Sequence, residues 1–393
     1  MKYEIVRGIA QIGGSIIEVS HNGTRILLDC GALLQEIGAE QTKDPFDVAT
    51  LGAPDAVFLS HHHGDHSGLI DELPNSVPVY ASEGTIAVLR AVGEFIGKPT
   101  RPFIPIQNGL PVQAGELRVT GIPVEHSAHD AMMLLVEGGG ERLLYTGDFK
   151  RIPDSLGAFL KEPVDTLITE GTMLDREAGE YPNESAVLKE LEGVLQSTRG
   201  HLFVLQSTAN VGRMRSVLAA RNAVCPDRPI LHDIFAKYLL ESIGEGELIN
   251  KYAFMAFYME ENKATSCVAR YFDELSQKRK LSSCSSLLKL KDAIILIRPI
   301  MLPMLKSLRE RGLQFDKSAL VFSMWKGHEG APKFAELLSF FASEGVAPKY
   351  IHTSGHAEEG EVRRLVAMVN ARRTILVHSD LERLDAPNAL IAQ

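Results

Sequence analysis

The chain has 393 residues, 45% hydrophobic and 23% charged, with 33 Gly and 19 Pro. That is enough apolar side chain for one or two large cores, and it excludes a disordered chain or a disulfide scaffold. A net charge of −9 excludes a general affinity for polyanions, although the sum conceals how charge is distributed.

At about 150 residues per domain the length predicts two to three domains. Cys30, Cys225, Cys267 and Cys284 form no CxxC pair, which points to a reducing compartment and to no thiolate zinc site. The N-terminal segment has Glu4 inside its apolar pattern and no h-region, and no run of about 18 apolar residues occurs. A soluble, cytoplasmic protein with no membrane partner is expected.

In residues 1 to 150, short strands alternate with turns. GGSIIEVSHNGTRILLDCG predicts a hairpin turning at Asn22-Gly23, a dipeptide that tolerates the positive φ of tight hairpins. PDAVFLSHHHGDHSGLIDEL reads as a buried strand, a histidine-rich loop and the start of a helix, and SEGTIAVLRAVGEFIG as an amphipathic helix. RLLYTGD is a strand ending at Gly147-Asp148. From Asn183 longer helices take over: NESAVLKELEGVLQS behind its Asn cap, then the strand HLFVLQ and the helix GRMRSVLAARNA. Residues 243 to 290 lack a clear period, and their Tyr/Phe-rich half and QKRK run suggest a mobile lobe. AIILIRP and SALVFSMW predict buried strands, KFAELLSFFASEG a helix, and RTILVHSD a last strand ending at His378. Polar residues waiting at strand ends indicate layered α and β structure with a site on the loops.

The densest chemical signal is His61-His62-His63-Gly64-Asp65-His66. Directly after a strand, His61 and His63 can point to one side and grip one metal ion, while Asp65 and His66 turn toward a second. Imidazole with carboxylate suits Zn²⁺, with Mn²⁺ or Fe²⁺ as alternatives. His62, between the ligands, is a bystander. His126 can complete the first His set, and Asp148, with two carboxylate oxygens, can bridge two ions. Asp29, ending RILLD, is placed to accept a hydrogen bond from a ligand histidine. A solvated histidine-rich loop is the competing reading, and the further donors that follow it speak against that.

This ordered set resembles the metallo-β-lactamase superfamily. The resemblance implies an α/β protein, an αββα sandwich with metal loops along one edge. It puts His61, His63 and His126 on one metal, Asp65 and His66 on the other, and Asp148 between them. The remaining histidine is His378, 230 residues after Asp148, so a large insertion is implied. DTLITEGTML, with Glu170, and HTSGHAEEGEVRRLVAMVNARRTILVHSD, with His356 and His378, resemble the extra motifs of the β-CASP nuclease branch. RNase J-like and cleavage-and-polyadenylation-endonuclease-like proteins belong to that branch. QSTANVGRMR, with Gly212-Arg213, resembles the start of its inserted domain. The implied division is residues 1–175 and 355–393 for the sandwich and 176–354 for an inserted α/β β-CASP domain.

Three departures accompany the resemblance. The last motif is VHSD instead of a VHGE-like ending, which leaves open what orients His378. AIILIRPIMLPMLKSL stands where RNase J-like proteins show a polar TGSQGE-like loop, so that loop's substrate contacts are not expected. Fifteen residues follow His378, from which a two-domain protein without a C-terminal dimerisation domain is expected; a homodimer remains compatible.

Residues 176–354 carry 24 Lys+Arg against 20 Asp+Glu, a net +4 in an acidic chain, as suits a lid over a polyanion. Two ions about 4 Å apart would share a hydroxide and withdraw charge from a phosphodiester. Catalysis is assigned to Asp65, Glu170 and His356, with His356, oriented by Glu170, protonating the departing oxygen. Ser354 and Gly355 are candidate phosphate donors. Arg213, Arg215 and Lys326 are candidate phosphate contacts, with a solvated helix face as the alternative. Members of the branch that act on RNA carry histidine where His378 stands, so the expected function is a metal-dependent ribonuclease cleaving single-stranded RNA between its domains. The competing readings are a DNA nuclease, a small-molecule metallo-hydrolase of thioesterase or lactonase type, and a non-catalytic RNA-processing subunit.

Overall fold

The computed structural model describes residues 1–34, 44–98, 101–176, 179–248, 253–254, 266–278, 281–282 and 284–381. Most of the Tyr/Phe-rich half of the aperiodic stretch, and Arg279-Lys280 of the QKRK run, lie outside the described residues.

Three sheets organise the chain. The first runs in sequence order: β1 (Lys2–Arg7), β2 (Ile16–His21), β3 (Thr24–Leu28), β4 (Ala56–Phe58), β5 (Val79–Ala81) and β6 (Phe103–Pro105). Its β2–β3 hairpin turns at Asn22 and Gly23, with φ of 46° and 87°, the mirror-image turn that the dipeptide predicts. The second sheet contains β7 (Pro111–Ala114), β8 (Leu117–Pro123), β9 (Met132–Gly138), β10 (Glu141–Tyr145) and β11 (Thr166–Glu170). The third comprises β12 (Leu202–Leu205), β13 (Ile230–Asp233), β14 (Ala253–Phe254), β15 (Leu281–Ser282), β16 (Ile294–Ile297), β17 (Ala319–Phe322) and β18 (Pro348–Tyr350), in the order β15-β14-β13-β16-β12-β17-β18. The chain then returns to the second sheet with β19 (Arg373–Val377), which pairs parallel with β11.

The period of two along each strand builds the layers. Ile17, Val19, Ile26 and Leu28 pack against Val119, Leu134, Leu143 and Ile168 between the first two sheets. Their neighbours Ile16 and Leu27 face outward to Ile86 of the helix Glu83–Ile96. On the opposite outer face, Leu144 and Leu167 meet Val362, Leu365 and Val366 of the helix Glu359–Val369. Helix, sheet, sheet, helix is the sandwich that the sequence resemblance implies. The third sheet is parallel in every pairing among the described residues, and its strands β12, β13 and β16 are buried on both faces. Phe203 and Ile295 enter one core while Leu202, Val204 and Ile294 enter the other, which is why these strands read as unbroken apolar runs. Asn183, as expected, caps the helix Glu184–Ser197 by accepting from the Ala186 N–H at 3.0 Å. No helix among the described residues is long and apolar enough to cross a membrane.

Candidate metal centre

Strand direction gathers the polar residues. β3 and β4 are parallel, as are β10, β11 and β19, and β8 runs the same way as β10 because β9 is antiparallel to both. Asp29 and His61 follow β3 and β4, and His126, Asp148, Glu170 and His378 stand at the ends of β8, β10, β11 and β19.

Three donor sets result, each with ligand atoms within 4.8 Å of one another: His61, His63 and His126; Asp65, His66, Asp148 and His378; and Asp148, Glu170, His356 and His378. Asp148 and His378 are common to the last two sets, and Asp148 also borders the first. Its Oδ2 lies 3.2 Å from His66 Nε2, 3.7 Å from His356 Nδ1, 3.8 Å from both His61 and His378 Nε2, and 3.9 Å from His126 Nε2. His378 Nε2 is 3.0 Å from Asp65 Oδ2.

The outer nitrogens and the supporting backbone are tied down. Asp29 Oδ2 accepts from His66 Nδ1, from Ser60 Oγ and from the Tyr145 hydroxyl, each at 2.7 Å, while its Oδ1 accepts from the Ser60 N–H at 2.7 Å. His126 Nδ1 donates to the Gly355 carbonyl at 2.7 Å. Thr172 Oγ1 lies 2.8 Å from His378 Nδ1, which answers what orients His378 in the VHSD motif. His356 Nδ1 is 2.8 Å from Glu170 Oε2, and Glu170 Oε1 accepts from the Phe149 N–H at 2.8 Å. Only glycine fits at Gly31, because a Cβ there would lie 1.7 Å from the Asp65 carbonyl oxygen.

Burial and charge set the protonation states. Burial first, then the neighbouring imidazoles, holds His61 well below the ordinary histidine value. His126 is lowered by burial and by His63, and burial takes His63 to about 4. Neutral imidazole is the form that ligates a metal. At His66 burial works the same way, but Asp148, Asp29 and Asp65 outweigh it and raise the ring well above its ordinary value. At His356 burial is likewise outweighed, by Glu170 and Asp148, and the pKa stands at about 9. Burial and Asp29 push the Tyr145 phenol well above 10.0, so it remains a proton donor.

Among the described residues, His61 Nε2, His66 Nε2 and Asp148 Oδ1 are buried polar atoms without an aligned hydrogen bond. Each such orphan costs about 1–3 kcal/mol. All three belong to the clustered donors, so the donor set fits a bound divalent cation, which would satisfy them together.

Some sequence candidates stand elsewhere. Arg213 is corrected as a phosphate contact: its side chain is fully buried, and its guanidinium donates to Glu184 Oε1 at 2.8 Å and to the carbonyls of Ser323 and Ile351 at 3.2 and 3.3 Å. It stitches β17 and β18 to the helix Glu184–Ser197. Arg213→Ala is therefore expected to destabilise the protein by about 3 kcal/mol, because it breaks the pair with Glu184 and removes a donor from two carbonyls. Urea unfolding measures this; an unchanged midpoint with weakened substrate binding would return Arg213 to the substrate. Arg215 pairs with Glu245. Ser354 Oγ accepts from the His356 N–H at 3.1 Å, so Ser354 and Gly355 both engage the histidines. His62 Nε2 accepts from the His129 N–H at 3.2 Å, away from the clusters.

Sequence reasoning missed Ser60, Tyr145 and Thr172. Tyr145 looked like an ordinary strand-end core residue.

Comparison with known proteins agrees with this arrangement. Residues 24–209 match the family described as "Beta-lactamase superfamily domain", and residues 347–393 match "Zn-dependent metallo-hydrolase RNA specificity domain". The Ribonuclease J of Sinorhizobium meliloti is 31% identical over 219 residues, covering 50% of this chain and 38% of that protein. The Ribonuclease J of Mycobacterium tuberculosis is 27% identical over 55% of this chain and 42% of its own length, so the chain spans about four tenths of these relatives. The Ribonuclease J of Pyrococcus abyssi is 23% identical over 98% of this chain and 91% of its own. A crystal structure of a protein of unknown function from Enterococcus faecalis shares the fold over 97% of this chain, with a TM-score of 0.70 at 19% identity. With the sandwich, the strand-end donor clusters and both domain matches in one chain, the protein belongs to the metallo-β-lactamase superfamily, in the β-CASP branch that includes Ribonuclease J.

Proposed function

We propose that this protein is a metal-dependent ribonuclease that cleaves single-stranded RNA at a centre of two divalent ions. The observation that carries the reading is Asp148, shared between donor clusters, with the His356–Glu170 pair set against it. In this reading His61, His63 and His126 hold one ion, Asp65, His66 and His378 the other, and Asp148 lies between them. His126 Nε2 and His63 Nδ1 converge to 3.3 Å, and imidazole with carboxylate donors would suit zinc, the metal named in the description that residues 347–393 match. When bound, the ions supply an activated water and draw charge from the phosphodiester.

The chain's own residues do the rest. Asp29, Gly355 and Thr172 hold three ligand rings in place. Glu170 keeps His356 charged and aimed, so that it delivers a proton to the departing oxygen. Support for RNA comes from the RNA specificity match over residues 347–393, the segment that contains His356 and His378, and from the Ribonuclease J relatives.

The test is cleavage of 5′-labelled single-stranded RNA and the matching DNA by metal-reconstituted protein. RNA cleavage is expected, with about two ions per chain by elemental analysis. Turnover of a thioester or lactone with RNA left intact would replace this reading by the small-molecule hydrolase.

A further inference from the structure

Trp325, the chain's one tryptophan, is 54% exposed. It follows β17 at the C-terminal edge of the parallel sheet, the edge where open α/β sheets bind ligands. The neighbouring strand β18, in register through Phe322 and Tyr350, lies about 4.8 Å away and continues into Ser354, Gly355 and His356. The two strand ends are locked together, since Ser323 Oγ donates to the Ile351 carbonyl at 2.6 Å and Arg213 donates to both strands' carbonyls. Trp325 therefore stands at the carboxyl end of β17, next to the strand from which the chain runs on to His356, the histidine facing Asp148.

An exposed apolar residue needs no explanation by itself, but this one is held in place. Its indole lies over Gly327, where an added Cβ would come within 2.3 Å of Cη2. His328 meets it edge-on at 5.6 Å and itself stacks on Phe334 at 5.4 Å. Lys326, the next residue, has its ammonium seated over the Tyr350 ring at 4.9 Å. A held, solvent-facing aromatic ring followed in the chain by a cation suits single-stranded nucleic acid: a base stacks on the ring and the cation attends the backbone.

We propose that Trp325 is a stacking platform for one base of a single-stranded RNA leading into the metal centre, with Lys326 attending the adjoining phosphate. The proposal rests on the ribonuclease reading and adds a subsite to it. Gly327 then has a purpose, keeping the indole flat against the loop.

A single tryptophan makes the test direct. Metal-loaded protein is titrated with a fully phosphorothioate-linked uridine 12-mer, which resists hydrolysis, while indole emission is followed. Quenching is expected, saturating at the concentration at which the same oligomer inhibits RNA cleavage. In steady-state cleavage of an unmodified 12-mer, Trp325→Ala is expected to raise KM about tenfold, or about 1.4 kcal/mol, with kcat within about twofold. Trp325→Phe should recover most of the loss, and Gly327→Ala, which pushes the ring aside, should also raise KM. RNA cleavage by wild type with no quenching and an unaltered KM in Trp325→Ala overturns the platform alone. Absence of any RNA cleavage or oligomer binding by wild type overturns the ribonuclease reading, and the platform with it.

Discussion

Asp148→Ala is expected to abolish RNA cleavage, with a loss of about 10³-fold or more, and to lower bound metal from about two ions to less than one per chain. The reason is geometric. A single oxygen of Asp148 lies within 3.9 Å of nitrogens from five histidines, and among the described residues no other carboxylate is close to so many of them. Removing it leaves His66 with only Asp29 and Asp65 to offset its burial and takes away the one carboxylate common to the two carboxylate-bearing clusters. A factor of 10³ corresponds to about 4 kcal/mol of lost transition-state stabilisation, within what a bound cation contributes to phosphoryl chemistry. Elemental analysis and single-turnover cleavage on the same preparation decide the matter. A fully metallated, active variant would remove Asp148 from the centre.

Glu170→Gln is expected to lower kcat by about 10²–10³-fold while leaving metal content unchanged. The amide preserves shape and can still accept from the Phe149 N–H, but it removes the carboxylate that most strongly favours charged His356. The sign follows from the raised pKa: His356 carries its proton below about 9 and loses it as pH rises through that value. Without the Glu170 charge the pKa falls, so the alkaline limb of the rate profile should move to lower pH. An unmoved limb would mean that His356 is not the group titrating there. A lost ion would instead assign Glu170 and His356 as ligands, the role open to them in the third donor set.

Much of the centre was legible in the sequence because it is local. HHHGDH places its donors within six residues, and a strand-end Asp or His announces itself by following an apolar run. Asp29 was readable as an acceptor for the same reason. What was not legible lies in long-range pairing. Tyr145 reaches Asp29 across 116 residues and Thr172 reaches His378 across 206, and neither residue type marks itself as polar support when it sits at a strand end. Arg213 shows the converse error. On a helix of alternating polarity it looked available to a phosphate, but Glu184 and two carbonyls consume it in the interior. In the fold, period-two alternation gave the sandwich strands and continuous apolar runs gave the third sheet, whereas β14 and β15, two residues each, are too short to carry a period.

The position of β19 has a consequence for how the molecule comes together in time. His63 meets His126 across 63 residues, but His378 meets Asp65 only across 313. Closing the longer loop costs about 1.4 kcal/mol more entropy, and that loop contains an entire seven-stranded sheet. During synthesis the three-histidine cluster can gather as soon as residue 126 is available. β11 must wait for β19, and Asp65 for His378, until the intervening sheet has been made. A growing chain thus has a metal cage long before it has His356 or His378, so the proton-transfer histidine and the final donor of the second cluster arrive last.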